Sequence, residues 1–327
     1  MAESGLTSMA TAEPTATPAT MVDAAGQVRA CVPRCVLIAP SLHTPAWLGA
    51  LEAAAGTLGW DVVIINLNDE IMISRPTETL AVVFEAESTY RLAIDQFAII
   101  STGLASSPEA AVNLFGAPHA RSFVNASSIL ALGHALPESF TRRFSDSDLL
   151  AGTRIFEAFD GVMITVPELE PVKLDSARRR LAQDVLGLLE QRPFTAGAAM
   201  EWPRELFTYD SGSDGDEAVG RIDVTGRPRR LVLGPYVWLP PGRWEAEVRF
   251  AVDKDTARHH FRVEWGDMTS YTVTPFEPQQ PGRYSLSSTH QWKYPNFSEL
   301  QVAISESSLG GDFFFEGVRV ELTEPVL

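Results

Sequence analysis

Polar side chains able to reach a ligand cluster just after short apolar runs. Ser41, His43 and Thr44 follow CVLIAP, Asn66, Asn68 and Asp69 close and follow DVVIINL, Glu85 and Glu87 follow LAVVF, and Ser101 and Thr102 close and follow FAIIS. If these runs are strands of an open parallel sheet, such groups line its carboxyl edge, where open α/β sheets bind ligands. Hydroxyls, amides and carboxylates there suit a sugar or a nucleotide sugar, and a carboxylate such as Glu87 could serve as general base if its surroundings tuned it. His43, Asn68 and Glu87 are the candidate ligand-binding residues of this half. The second candidate set is aromatic. Trp238, Trp292 and Tyr294 fall in the Pro-containing stretches YVWLPP and HQWKYPNF, outside clear alternation, where they either stand as exposed rings beside hydrogen-bonding groups or seal the open end of the sandwich. The C–H face of a sugar stacks on such a ring while polar groups pair with its hydroxyls. Arg262 and Asp267 are the expected pairing residues.

Other chemistries lack their signatures. PSLHTP stands where a phosphate-cradling glycine loop would follow the first strand, and neither a GxSxG elbow nor an HExxH helix occurs. Cys31 and Cys35 are spaced CxxxC without the second ligand pair of a structural zinc site. The acidic tract Asp210 to Glu217 (DSGSDGDE) lacks the distant glutamate of a calcium hand and reads as a solvated linker. No metal, no cofactor and no catalytic residue is assigned, and whether the chain is an enzyme stays undecided.

The elements that position these residues follow from burial rhythm. From Cys35 onward, continuous apolar runs alternate with helical stretches, the pattern of strands buried on both faces of a parallel sheet. The runs are at 35–40, 61–67, 80–84, 97–101 and 161–166, with helices expected at 47–58, 90–96, 108–115, 137–144, 146–159 and 174–191. Beyond Gly220 the period becomes two: Trp244, Ala246, Val248, Phe250 and Val252 alternate with Glu245, Glu247 and Arg249. Similar alternation at 261–265, 300–304 and 318–322, with PPGR and QPGR turns, indicates an antiparallel sandwich. The fold class is therefore α/β plus all-β, a parallel-sheet domain followed by an antiparallel β-sandwich. The expected divisions are a disordered N-terminal tail (1–33), the α/β domain (34–195), an acidic linker (196–219) and the sandwich (220–327).

The 327 residues exceed what one core usually fills, and 45% hydrophobic with 21% charged residues is a globular composition. A net charge of −16 repels phosphate backbones and anionic lipid, so neither nucleic acid nor membrane is an expected partner. The first thirty residues lack the basic and apolar regions of a secretory signal, and no apolar run reaches the ~18 residues of a membrane helix. With only two cysteines, these features lead to the expectation of a cytoplasmic protein.

The segment GPYVWLPPGRWEAEVRF and the closing FFFEGVRVEL resemble galactose-binding-like jelly rolls of carbohydrate-binding modules, over roughly residues 220 to 325. More loosely, the α/β half resembles one Rossmann-like lobe of a family-B glycosyltransferase, without its second lobe or a donor-binding motif. The first resemblance implies a carbohydrate-recognition or accessory protein, linked to bacterial surface polysaccharide production, whose sandwich holds glycan. The second implies a divergent glycosyltransferase with a nucleotide sugar at the α/β rim. A structural module with a protein partner is the third alternative.

Overall fold

The computed structural model describes residues 20–22, 28–68, 73, 75–106, 119–171, 176–210, 220–267 and 269–325. Strands β1 (Thr20–Val22) and β2 (Val28–Cys31), inside the span expected as a disordered tail, instead form an antiparallel ribbon. Next come β3 (Arg34–Ile38), helix α1 (Thr44–Leu58), β4 (Asp61–Ile64), β5 (Thr79–Val83), the short β6 (Leu92–Ala93), β7 (Gln96–Ser101), helix α2 (His119–Ala135) and β8 (Thr141–Ser145). Five of these strands make one all-parallel sheet in the order β4-β5-β3-β7-β8. The central runs are closed off on both faces, and β5 is buried along its whole length. Pro45 occupies the first turn of α1, where its missing N–H leaves no helical bond unmade, and Gly59 ends the helix at φ 70°. Trp47 and Leu51 of α1 cover one face of the sheet.

The opposite face is covered by α2, whose residues Ala126 to Gly133 are all buried. They form one continuous apolar cluster with the sheet residues Leu37, Val83 and Ile99, with α4 (Ser176–Glu190), and with the interior of the C-terminal sandwich. On its sandwich side α2 meets the end of β14 (Arg229–Leu239), where the Trp238 N–H donates to Ser127 Oγ at 2.9 Å.

Several local expectations are corrected. The expected helix at 90–96 is a 3-10 turn (Ala86–Arg91) followed by β6. The expected helix at 137–144 is a 3-10 turn leading into β8, whose buried Thr141 and Phe144 fit an edge strand of the sheet. The helix expected at 146–159 stops after α3 (Asp146–Leu150), and β9 (Ile155–Phe159) then pairs antiparallel with β10 (Val162–Thr165). GVMITV therefore belongs to this hairpin rather than the parallel sheet, and its alternation leaves Met163 exposed. The helix expected at 108–115 lies outside the described residues.

The C-terminal region is a sandwich of two five-stranded antiparallel sheets, as expected from the period-two pattern. One sheet runs β11 (Ala199–Trp202), β20 (Asp312–Pro325), β15 (Gly242–Val252), β18 (Gly282–Trp292), with β13 (Arg221–Asp223) also on β20. The other runs β12 (Thr208–Tyr209), β14, β19 (Asn296–Ile304), β16 (Phe261–Gly266), β17 (Tyr271–Phe276). Residues 199–202 and 208–209, expected within the linker, thus supply edge strands; 211–219 lie outside the described residues. Trp244, Trp265, Phe250, Phe261, Phe313 and Phe315 fill the space between the sheets.

Removing the Ser127 hydroxyl strands the buried Trp238 N–H where α2 meets the sandwich. Ser127→Ala should destabilise the chain by about 1–3 kcal/mol, read as a lower midpoint in urea denaturation.

Candidate functional site

The outer face of the sheet containing β14, β19, β16 and β17 carries a compact group of polar and aromatic side chains. Glu299 on β19 lies opposite Pro235 on one side and Gly266 on the other, and Gly266 lies opposite Tyr271. A methyl group on Gly266 would stand 2.0 Å from the Ser270 carbonyl oxygen, so only glycine closes this hairpin. With no side chain between them, the Tyr271 hydroxyl reaches across and donates to Glu299 Oε1 at 3.2 Å. The amide of Gln301 donates to the same oxygen. From the other flank Tyr236 comes near Glu299, and burial together with the Glu299 charge raises both phenols above their ordinary value. Tyr236 holds φ 63°, in the left-handed region, where β14 shifts register between Pro235 and Trp238. A bulky residue held there is strained, and such strain concentrates at binding and catalytic sites. Tyr271 remains 38% exposed.

Two of the residues expected in the sandwich site border this group. On β16, two residues apart, Arg262 pairs with Glu264. Asp267 caps the β16–β17 turn, accepting from the Thr269 N–H at 2.8 Å and the Ser270 N–H at 2.9 Å, and from the Asn296 amide at 3.4 Å. Burial opposes its ionisation, but the Thr269 and Ser270 hydrogen bonds hold it below the usual carboxylate value. Asp267 thus has a turn-forming role.

Trp238 and Trp292 are corrected. Of the two roles open to them, stacking on a sugar and sealing the sandwich, they take the second, being 2% and 0% exposed. The register shift after Pro235 breaks the alternation, and Trp238 is enclosed where α2 meets the sheet. Trp292 ends β18 opposite Gly242 and packs on Trp265 at 4.9 Å between ring centroids. A fully enclosed ring presents no face to a sugar. Tyr294 alone of the three is open, at 76% exposed, and lines a cavity between the sandwich and the α/β region.

His43, Asn68 and Glu87 lie after β3, β4 and β5, along the carboxyl edge of the parallel sheet. Asn68 is exposed and Glu87 half-buried in the 3-10 turn Ala86–Arg91. His43 is 8% exposed, and its Nε2–H donates to the Glu170 carbonyl at 3.1 Å. Its Nδ1 has no hydrogen-bond partner and packs on Gly103, where a methyl group would come within 2.7 Å of it. Beyond these three, the same edge brings together Asp146 and Glu190. Asp146 accepts from the Gly103 N–H at 2.9 Å. Glu190 ends α4 and reaches solvent, yet burial of its carboxyl and the nearby Asp146 charge push it up to about 7, against a hydrogen bond from Ser101.

Tyr236, Tyr271, Glu299, Gln301, Asp146 and Glu190 were not singled out by sequence reasoning. YTVTPF does alternate, and that rhythm marks Tyr271 as outward; the convergence of Tyr236 and Tyr271 on Glu299 depends on strand order. Among the described residues, no group of three or more His, Cys, Asp or Glu side chains is placed to hold a metal ion. Among them also, no helix is long and apolar enough to cross a membrane.

No protein-family model matches the chain. No curated protein matches it. Among solved structures, it is similar to the CBM22-1 xylan-binding domain of Paenibacillus barcinonensis Xyn10C, with 11% identity over 41% of this chain and 100% of that one and a TM-score of 0.28. It is also similar to the C-terminal CBM6 of LamC from Zobellia galactanivorans, with 18% identity, 38% and 98% coverage and a TM-score of 0.25. The xylan-binding module CBM15 is similar at 8% identity, 40% and 99% coverage and a TM-score of 0.26. At scores this low the likeness transfers neither a ligand nor a residue role to this chain.

A carboxyl whose folded pKa exceeds its ordinary value of 4.5 holds its proton more tightly in the folded state. Its stabilising contribution is therefore complete below pH 4.5 and is lost as the pH rises toward about 7. Glu190→Gln should remove this share of the stability decline between those limits, measured as a smaller change in urea midpoint from acid to neutral pH than in the parent.

Proposed function

We propose that the sandwich is a carbohydrate-recognition module whose glycan lies across Tyr236, Glu299 and Tyr271 on the outer sheet face. The observation that carries this reading is the convergence of two phenols, one from a strained backbone position, on a single carboxylate at an open surface. Phenol rings offer an apolar face to sugar C–H groups, while Glu299, Gln301 and the tyrosine hydroxyls supply acceptors and donors for sugar hydroxyls. Arg262 and Glu264, on the adjoining strand, extend the polar surface along the sheet. The test is isothermal titration against a panel of soluble glycans. At least one should bind, and Tyr271→Ala should weaken it at least tenfold, about 1.4 kcal/mol. Heat from no glycan, or equal affinity in Tyr271→Ala, rejects the reading.

A second reading is sugar transfer from a nucleotide sugar at the α/β edge. It is favoured by a carboxyl raised to about 7 beside Asp146 on the edge that also carries His43, because a base poised near neutrality suits general catalysis. Thermal-shift measurements with nucleotide sugars test it. A ligand at 100 times its dissociation constant stabilises the fold by about 2.7 kcal/mol, and a flat response to all nucleotide sugars removes this alternative.

A further inference from the structure

A cavity of about 550 Å³ lies where the end of α2 and the segment after α4 face the sandwich. Phe194, Pro240 and Tyr294 give it apolar walls, and Arg192, Lys293 and Glu138 give it charge. In a chain of net charge −16 with only three lysines, this concentration of cations is unusual. A third, Arg143, stands behind the cavity on β8. A methyl group on Gly133 of α2 would meet Arg143 Nη1 at 2.7 Å and Arg192 Nη2 at 3.4 Å, so the two guanidiniums converge on one point of the helix. Arg143 is anchored there, its Nη2–H donating to the Gly133 carbonyl at 2.5 Å. Arg192 is not: its Nη2 is buried and has no acceptor.

The surroundings leave this cationic charge undercompensated. Burial and the Arg192 charge lower Arg143 to about 9, with Glu138 opposing them, and burial also lowers Arg192. His134 adds no charge. Burial and the two arginines hold it near 3, despite its bond to the Leu189 carbonyl, and its ring instead lies 3.9 Å from that of Phe194. A buried guanidinium donor without an acceptor, beside a second guanidinium, is relieved by an oxyanion, whose paired oxygens match the guanidinium fork.

We propose that this cavity binds a small organic oxyanion, a carboxylate or phosphate borne on a ring, with Arg192 and Lys293 holding the anion and Tyr294 and Phe194 flanking the ring. The site is independent of the glycan face described above. Calorimetric titration of the full chain with glucose 6-phosphate and with glucuronate, using glucose as the neutral control, tests it. At least one anion should bind while glucose does not, and the tighter of the two tells phosphate from carboxylate. Arg192→Gln should weaken that binding at least about tenfold, and Lys293→Gln, a change at an exposed side chain, should weaken it in the same direction and reduce its salt dependence. Should Arg192→Gln fail to fold by circular dichroism, Lys293→Gln and Tyr294→Ala decide the matter. Tyr271→Ala should leave this binding unchanged, which separates it from the outer face. Absence of binding by either anion, glucose binding as tightly as the anions, or unchanged affinity in the folded cavity variants overturns the proposal.

Discussion

Along Ala126 to Gly133, helix α2 has no solvent-facing stripe, and this enclosure is the constraint on which the rest of the molecule depends. A helix buried on all sides has to be covered by more than one partner. Here the parallel sheet and α4 take part of its surface and the end of β14 takes another, so a single apolar cluster passes from the α/β region into the sandwich. Small residues in the helix, among them Ala126, Ser127, Ser128 and Gly133, let sheet, strand and arginine side chains approach its axis closely. The placement of Trp238 follows directly, because its strand end is pressed between the sandwich interior and this helix.

Charge is distributed against the average of the sequence. An acidic chain places Arg143, Arg192 and Lys293 around one junction, while its carboxylates Asp146 and Glu190 meet at the edge of the parallel sheet. In both places like charges are held near one another by burial of the elements that carry them. Exposed pairs such as Arg75 with Asp61 and Glu78 are of a different kind, screened by solvent and worth little to stability.

Backbone freedom at a few positions sets the fine geometry of the outer face and the sheet edge. Gly266 opens the space through which Tyr271 reaches Glu299, and Gly103, at φ 69°, leaves room for the His43 ring. Tyr236 accepts the strained conformation instead, at the point where β14 shifts register. These three backbone features are local, but their effect is to bring side chains from different strands to one carboxylate or one ring.

The amino-acid sequence by itself determined the fold class and most strands, because continuous apolar runs and strict alternation directly encode how many faces of a strand are buried. CVLIAP, LAVVF and WEAEVRFAV became β3, β5 and β15 for that reason. Helix α2 left no such trace, since a segment enclosed all round has no polar face and hence no 3.6-residue rhythm, and TRRFS became an edge strand through pairing with β7. Only tertiary structure could decide that Trp238 and Trp292 are enclosed, that Tyr236, Tyr271 and Glu299 meet, and that Arg143 and Arg192 converge on Gly133. Each of these depends on strand order, register or contact between residues far apart in the chain, and local periodicity carries no information about which distant surface will cover a side chain.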